Sequence, residues 1–407
     1  MAEKKDYKKL YDLKQMELNS LLEITESINN NLPETALYKI YDFTIRANLN
    51  IAKYAFYVLE DAWQAKASFG LSSELNKDTP LPEKLMELRE ISQVSGVKSP
   101  FDQFQVAIPI LHKSQLLAIV LATGADSSNE ELNTTFIQAI SNLIIVAIEN
   151  KRLARRQLEE EAIRKELEIA KSVQSFLFPD NLPNGVRLKV EASYLPHQSV
   201  GGDYYDYIPI NKNQFLVCIA DVSGKGIPAA LMMSNFQASL HTLLRHTSNL
   251  TEIVEALNYQ IHESAKGESF ITFFVAIYDH DLNTMVYVNA GHNPPFLVNS
   301  AGELQELDIG STILGVFDPL PFLSEGFIPD LDGFTLFAYT DGLTETENAA
   351  GEEIGSEKIS DFIKNNYKKS LAIIHQEILD DLDLFRGNIP FKDDITMLSC
   401  KVESKSA

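Results

Sequence analysis

Apolar and polar positions alternate along this chain in two different regimes. Over residues 8–32, Leu10, Leu13, Met16, Leu21, Leu22, Ile24 and Ile28 recur at helical spacing, and Asn29-Asn30-Asn31-Leu32-Pro33 closes the helix. A second helix fits Leu37–Ile45. Strand-like runs follow at Ala52–Leu59 and Trp63–Phe69, then at Gln105–Ile110 and Leu116–Leu121, the last two joined by the turn His112-Lys113-Ser114-Gln115. A helix from about Asn129 carries Ile137, Ile140, Leu143 and Ile144 on one face. Helices around a short antiparallel sheet predict a compact α+β domain over residues 1–150.

From Glu149 to Phe178 there is neither glycine nor proline, and Leu158, Ala162, Ile163, Leu167, Ala170, Val173 and Leu177 form a stripe. This predicts a helical linker over residues 151–179, with an imperfect heptad pattern, ended by Pro179-Asp180-Asn181-Leu182-Pro183. Beyond residue 180 the pattern changes. Strands fit Arg187–Tyr194, Gln214–Ile219, Phe270–Tyr278, Thr284–Asn289, Phe334–Tyr339 and Ile395–Cys400, and helices fit Ala229–His246, Thr251–Glu263, Ser356–Asn365 and Leu371–Phe385. The expectation for residues 180–407 is an α/β/β/α sandwich with antiparallel sheets in the middle, and for the whole chain an α+β multidomain protein.

Composition narrows this picture. A chain of 407 residues exceeds one ordinary core and fits two or three domains. No apolar run approaches the ~20 residues that span a bilayer, and Met1-Ala2-Glu3-Lys4-Lys5-Asp6 does not open a signal peptide. Cys218 and Cys400 lie in strand-like runs and read as small core residues. A cytoplasmic location is expected. The net charge of -22 argues against nucleic acid and against an anionic membrane surface. It leaves room for a phosphorylated substrate, because bound cations would reverse the local field.

Candidate chemistry lies in four aspartate-bearing segments. They are Val200-Gly201-Gly202-Asp203-Tyr204-Tyr205-Asp206, Ala220-Asp221-Val222-Ser223-Gly224-Lys225-Gly226, Tyr339-Thr340-Asp341-Gly342-Leu343-Thr344-Glu345 and Lys392-Asp393-Asp394-Ile395-Thr396. Each places a carboxylate beside an apolar run, next to glycine or a second acid. Four such carboxylates carry about the charge that holds two divalent cations, and oxygen-only ligation favours Mg²⁺ or Mn²⁺ over zinc. Two such cations would activate a water and polarise a phosphoester. Gly201-Gly202 lets backbone pass close to the ligands, and Gly224 and Gly226 suit a tight turn at a helix start. His292, in Gly291-His292-Asn293-Pro294-Pro295, fits a turn with its imidazole bonded to backbone better than a general acid. Lys225 reads first as part of a hinge and second as a phosphate contact; Tyr204 and Tyr205 read as packing.

Two family resemblances add to these readings. Val106-Ala107-Ile108-Pro109-Ile110, with the following turn and second apolar strand, resembles a GAF domain over most of residues 15–150. That resemblance implies a sensor or a dimerisation module, whose ligand or activating protein is unknown. The set Gly201-Gly202-Asp203, Ala220-Asp221-Val222-Ser223-Gly224-Lys225-Gly226, Ala290-Gly291-His292-Asn293-Pro294-Pro295, Thr340-Asp341-Gly342 and Asp393-Asp394-Ile395-Thr396 is similar to the SpoIIE/RsbU branch of the metal-dependent (PPM-type, protein phosphatase 2C-like) serine/threonine phosphatases. This second resemblance covers roughly residues 170–402. It implies metal ligation by Asp203, Asp221 (as the bridge), the Val222 carbonyl, Asp341 and Asp393, with Asp394 as a further or supporting ligand. It further implies a phosphorylated STAS-domain substrate in a partner-switching pathway, and a homodimer paired through the linker and the GAF-like domain. The phosphate-binding arginine of eukaryotic relatives has no counterpart here. Two rivals stand beside this expectation: a non-catalytic or conditionally inactive scaffold, and a GGDEF-type nucleotide cyclase, disfavoured by Tyr204-Tyr205 after Gly201-Gly202-Asp203.

Overall fold

The computed structural model describes residues 2–72, 75, 79–125 and 132–404. The chain divides into two compact units, Met1–Glu161 and Ala162–Ala407.

In the first unit, α1 (Ala2–Asn29) and α2 (Glu34–Asn48) precede β1 (Ile51–Leu59) and β2 (Trp63–Phe69). A short α3 (Glu83–Met86) and β3 (Ser92–Gln93) lead to β4 (Val106–His112), β5 (Gln115–Gly124) and α4 (Thr134–Ser175). The sheet runs β2-β1-β5-β4-β3, antiparallel throughout. Strand alternation decides which side chains meet the helices. Tyr54, Phe56, Val58, Ala118 and Val120 pack against Ile24, Tyr41, Ile45, Ile137, Ile140 and Ile144 from α1, α2 and α4. The intervening Ala55, Tyr57, Ile119 and Leu121 cover the other face with Leu85, Phe101 and Phe104. The predicted helix start near Asn129 lies outside the described residues. The boundary between the units falls inside α4, whose 42 residues continue unbroken from the last apolar face of the first unit.

The second unit is built on two antiparallel sheets. It contains β6 (Leu188–Leu195), β7 (Tyr204–Pro209), β8 (Gln214–Val222), α5 (Ile227–Leu244), α6 (Leu250–Ala265), β9 (Ile271–Asp279) and β10 (Thr284–Ala290). Short strands β11 (Phe296–Asn299), β12 (Leu304–Glu306), β13 (Gly310–Ser311) and β14 (Gly326–Ile328) precede β15 (Phe334–Tyr339). The chain ends with α7 (Asp341–Thr344), α8 (Ser356–Asn366), α9 (Leu371–Arg386) and β16 (Ile395–Val402). One sheet runs β13-β10-β9-β8-β7, with β14 also on β10, and the other runs β12-β11-β15-β16-β6. The single parallel pairing among these strands is β10 with β13.

Three apolar layers hold the four structural layers together. Met233, Phe236, Leu240, Ile253 and Leu257 of α5 and α6 pack on Leu216, Cys218, Phe273 and Val275. Val217, Ile219, Phe274 and Tyr287 meet Val190, Leu336, Leu398 and Cys400 between the sheets. Phe337, Tyr339, Ile395 and Met397 meet Ile359, Ile363, Ile374 and Ile378 of α8 and α9. The α/β/β/α order expected from the sequence is therefore present, and each foreseen strand begins within one residue of its predicted start. Both cysteines are free and buried in these cores. No described helix is long and apolar enough to cross a membrane.

Candidate active site

Alternation along β8 sends Leu216, Cys218 and Ala220 toward the helices, so Asp221 faces the space between the sheets. Tyr204 of β7 pairs with Ala220 and packs on the helix side, which turns Asp203, one residue earlier, toward that same space. From the opposite sheet, Tyr339 and Met397 face outward, so Thr340 and Thr396 face inward beside Asp341, Asp393 and Asp394. Strand ends from both sheets thereby gather five carboxylates whose charges act on one another.

Asp203 is almost fully enclosed, at 1% exposure. Its Oδ2 accepts hydrogen bonds from the Thr340 hydroxyl at 3.0 Å and the Thr396 hydroxyl at 2.5 Å. Burial, then the charge of Asp221, holds its carboxyl well above the usual range, against the two threonine hydroxyls. Asp221 is pushed up to about 7 by burial and then by Asp341, while a hydrogen bond with Asp203 opposes the rise. Asp341 is raised by burial and by Asp393. Such a cluster carries more negative charge than the surrounding protein offsets.

Asp393 and Asp394 diverge across the bend that leads into β16, where Asp393 Oδ1 accepts from the Asp394 N–H at 2.8 Å. Asp393 Oδ2 lies 2.7 Å from the Lys225 ammonium. Asp394 turns the other way: Oδ1 accepts from the His197 N–H at 2.7 Å and Oδ2 from the Gly202 N–H at 3.1 Å. It clamps the loop that carries Asp203. Its carboxyl is raised by burial, with those two N–H groups opposing. The loop has a second anchor in Gln174, at the end of α4, which donates to the Gly201 carbonyl at 2.7 Å and accepts from the Gly201 N–H at 3.3 Å. A Cβ at Gly201 would lie 1.9 Å from Asp394 Oδ2, and one at Gly202 would lie 2.7 Å from the Val222 carbonyl oxygen. The paired glycines thus let the loop approach both groups.

The donor set of these segments is hard oxygen: the carboxylates and the Val222 carbonyl beside Gly202. Its chemistry and uncompensated charge fit divalent cations such as Mg²⁺ or Mn²⁺. Among the described residues, no three acidic, histidine or cysteine side chains already converge on one ion position.

Other residues singled out in the sequence find their partners outside the five carboxylates. His292 is buried, with Nδ1 2.8 Å from the Thr272 hydroxyl and its backbone N–H on Asn289 Oδ1. Its imidazole thus meets the Thr272 hydroxyl, and a hydrogen bond with the Tyr339 backbone accords with the backbone-bonded imidazole expected for the turn. Burial lowers its pKa to about 4, so it is neutral near pH 7. Asp206 faces α5, where Tyr204 donates to it and His241 Nε2 lies 2.7 Å away. Tyr205 stacks on Phe178, with ring centroids 4.9 Å apart. Sequence reasoning missed Thr340, Thr396, Gln174 and the clamping geometry of Asp394. Two of these are threonines directly flanking aspartate segments, a faint signal.

Comparison with known proteins bears on the fold and on the family this region is similar to. The family described as Stage II sporulation protein E (SpoIIE) matches residues 211–403. The SiaA-PP2C domain of Pseudomonas aeruginosa superposes with a TM-score of 0.53 at 20% identity, covering 59% of this chain and 97% of that domain. The second unit thus has the fold of the PP2C-like phosphatases. Protein IcfG of Synechocystis sp. is 26% identical over 279 residues, which are 61% of this chain and 43% of that protein. Phosphoserine phosphatase RsbU of Bacillus subtilis is 29% identical over 238 residues, 55% of this chain and 70% of that protein. Residues 211–403 are thus similar to SpoIIE-type phosphatase domains, on a unit with the PP2C-like fold.

Proposed function

We propose that this chain is a metal-dependent phosphoprotein phosphatase acting on phosphoserine or phosphothreonine, with its N-terminal unit as a GAF-like regulator. The observation that carries the reading is the set of buried carboxylates Asp203, Asp221 and Asp341 between the ends of two sheets, each raised by burial and then by a neighbouring aspartate. Asp203, Asp221, the Val222 carbonyl, Asp341 and Asp393 would hold two cations, Mn²⁺ or Mg²⁺, with Asp394 as a further or supporting group. When bound, these cations supply an activated water and positive charge for the phosphoryl oxygens. The residues themselves set the stage. Asp221 interacts with Asp203 on one side and Asp341 on the other, which suits the shared position between two ions. Thr340 and Thr396 fix the Asp203 carboxylate in one orientation, and Asp394 with Gln174 fixes the loop beneath it.

The relative named phosphoserine phosphatase RsbU supports phosphoserine as the group acted on, and the SpoIIE/RsbU resemblance favours a STAS-domain protein in partner switching. A homodimer is part of the reading. Leu158, Ile163, Ile169 and Val173 of α4 are 58–69% exposed and would gain by pairing with a second copy. An unidentified ligand or activating protein at the N-terminal unit would set the output.

The test is hydrolysis of a phosphoserine peptide and a generic phosphomonoester with Mn²⁺, with Mg²⁺ and with chelator, beside Asp341→Asn. Turnover that needs the metal and drops at least about 100-fold in the variant, a loss of ~2.7 kcal/mol in transition-state stabilisation, is expected. Equal rates with metal and with chelator would refute the proposal.

A further inference from the structure

We propose that Lys225 holds the substrate phosphate in this site, and that it rests on Asp393 until a divalent cation takes that carboxylate. The inference depends on the phosphatase reading given above. That reading leaves one need unmet, since among the described residues no arginine is ion-paired with any of the five carboxylates.

Lys225 Nζ lies 2.7 Å from Asp393 Oδ2 and also donates to the Lys392 carbonyl. Its charge acts on Asp341 and Glu345 as well, lowering the pKa of each against burial. The nearby Lys392 ammonium is turned to Glu347 instead. Among the described residues, Lys225 is the one lysine or arginine ion-paired with any of the five carboxylates. It is also free to move: its side chain is 43% exposed, and it sits between Gly224 at φ +95 and Gly226 at φ +71. Nothing lies within 4 Å of where a Gly224 Cβ would be.

A divalent ion on Asp393 carries twice the charge of the ammonium and repels it. The lysine then loses its partner but stays tethered at the rim of the cluster by a flexible four-carbon stem. A phosphate monoester held on the cations exposes oxygens directed away from them. An ammonium acting as a point charge suits those oxygens.

The experiment is calorimetry on the full chain stripped by chelator. Mn²⁺ is titrated first, and inorganic phosphate is then titrated into the Mn²⁺-loaded protein, for wild type, Lys225→Gln and Lys225→Arg. Lys225→Gln is expected to bind Mn²⁺ about three- to tenfold more tightly, because the competing ammonium is gone. It should bind phosphate about tenfold more weakly, the loss of one charge-assisted contact, while Lys225→Arg stays within about threefold of wild type. With phosphoserine peptide, KM should rise more than kcat falls. Unchanged or weaker Mn²⁺ binding in Lys225→Gln, or unchanged phosphate binding, overturns the role given to the lysine while the site reading stands. A wild-type protein that takes up no Mn²⁺ overturns the site reading and the lysine proposal together.

Discussion

Replacing Gly201 by alanine probes the loop that carries Asp203. The new methyl would lie 1.9 Å from Asp394 Oδ2, 2.2 Å from the Tyr194 hydroxyl and 2.7 Å from Asp394 Cγ. The loop backbone is held by Gln174, so the Asp394 carboxylate must yield along with the Tyr194 hydroxyl. In yielding it gives up its bonds to the His197 and Gly202 N–H groups. Each is a hydrogen bond to a charged acceptor, worth about 1.5–3 kcal/mol. Alanine recovers about 0.4–1 kcal/mol by restricting the unfolded chain. The net expectation is a destabilisation of roughly 2–5 kcal/mol. Urea unfolding followed by circular dichroism reads it, and the single tryptophan, Trp63, sorts the transitions because it lies in the first unit. The transition that Trp63 fluorescence does not follow should move to lower urea. In an Asp394→Ala background, two of the three obstructing atoms are gone, and the alanine should cost at least ~1 kcal/mol less in a double-mutant cycle. A shift under about 0.5 kcal/mol, or an equal cost in both backgrounds, would refute the clamp.

Two further expectations follow from the buried ionisable groups. Asp221 keeps its proton up to about pH 7 in the folded, metal-free chain, whereas an ordinary aspartate loses it near 3.8. Unfolded chain therefore binds fewer protons across that window, and metal-free stability should fall as pH rises from about 4 to about 7. At about 1.4 kcal/mol per pH unit the fall is capped near ~4 kcal/mol, and denaturation with chelator at several pH values measures it; stability that rises over this window would contradict the burial of Asp221. His292, lowered to about 4, should place no limb on the pH–rate profile between pH 6 and 8. His292→Gln should keep the profile's shape while losing about 1–2 kcal/mol of stability with the Thr272 contact; a lost limb in the variant would restore an acid–base role.

Much of this architecture could be read from apolar spacing. β8, β9, β15 and β16 announce themselves because one or both faces are buried between layers, so their runs are long and apolar. β7 escaped because Tyr204-Tyr205-Asp206-Tyr207 looks polar; Tyr204, His241 and the Tyr207 N–H satisfy its buried acid only in three dimensions. The edge strands β11 to β14, two to four residues each, are too short to show a period. Within the site, the aspartates were legible as types beside glycine. The opposite duties of Asp393 and Asp394 were not, since a repeated letter carries no direction. Thr340 and Thr396 were missed for a similar reason: a hydroxyl gains meaning only from what it faces.

Those two hydroxyls do something to Asp203 that its chemical formula does not contain. A carboxylate has two equivalent oxygens, and the fold makes them unequal. Thr396 N–H donates to the Thr340 oxygen, the Thr340 hydroxyl donates to Oδ2 at 3.0 Å, nearer than the Asp394 carbonyl at 3.5 Å, and the Thr396 hydroxyl donates to the same Oδ2. Oδ2 thereby belongs to the scaffold, and in the function proposed above Oδ1 would be the oxygen turned to a cation. The side chain has acquired a polarity. An amide there could satisfy the threonines only with its oxygen, and its NH₂ would then point where the proposed function puts a cation. At this position asparagine is an aspartate turned inside out.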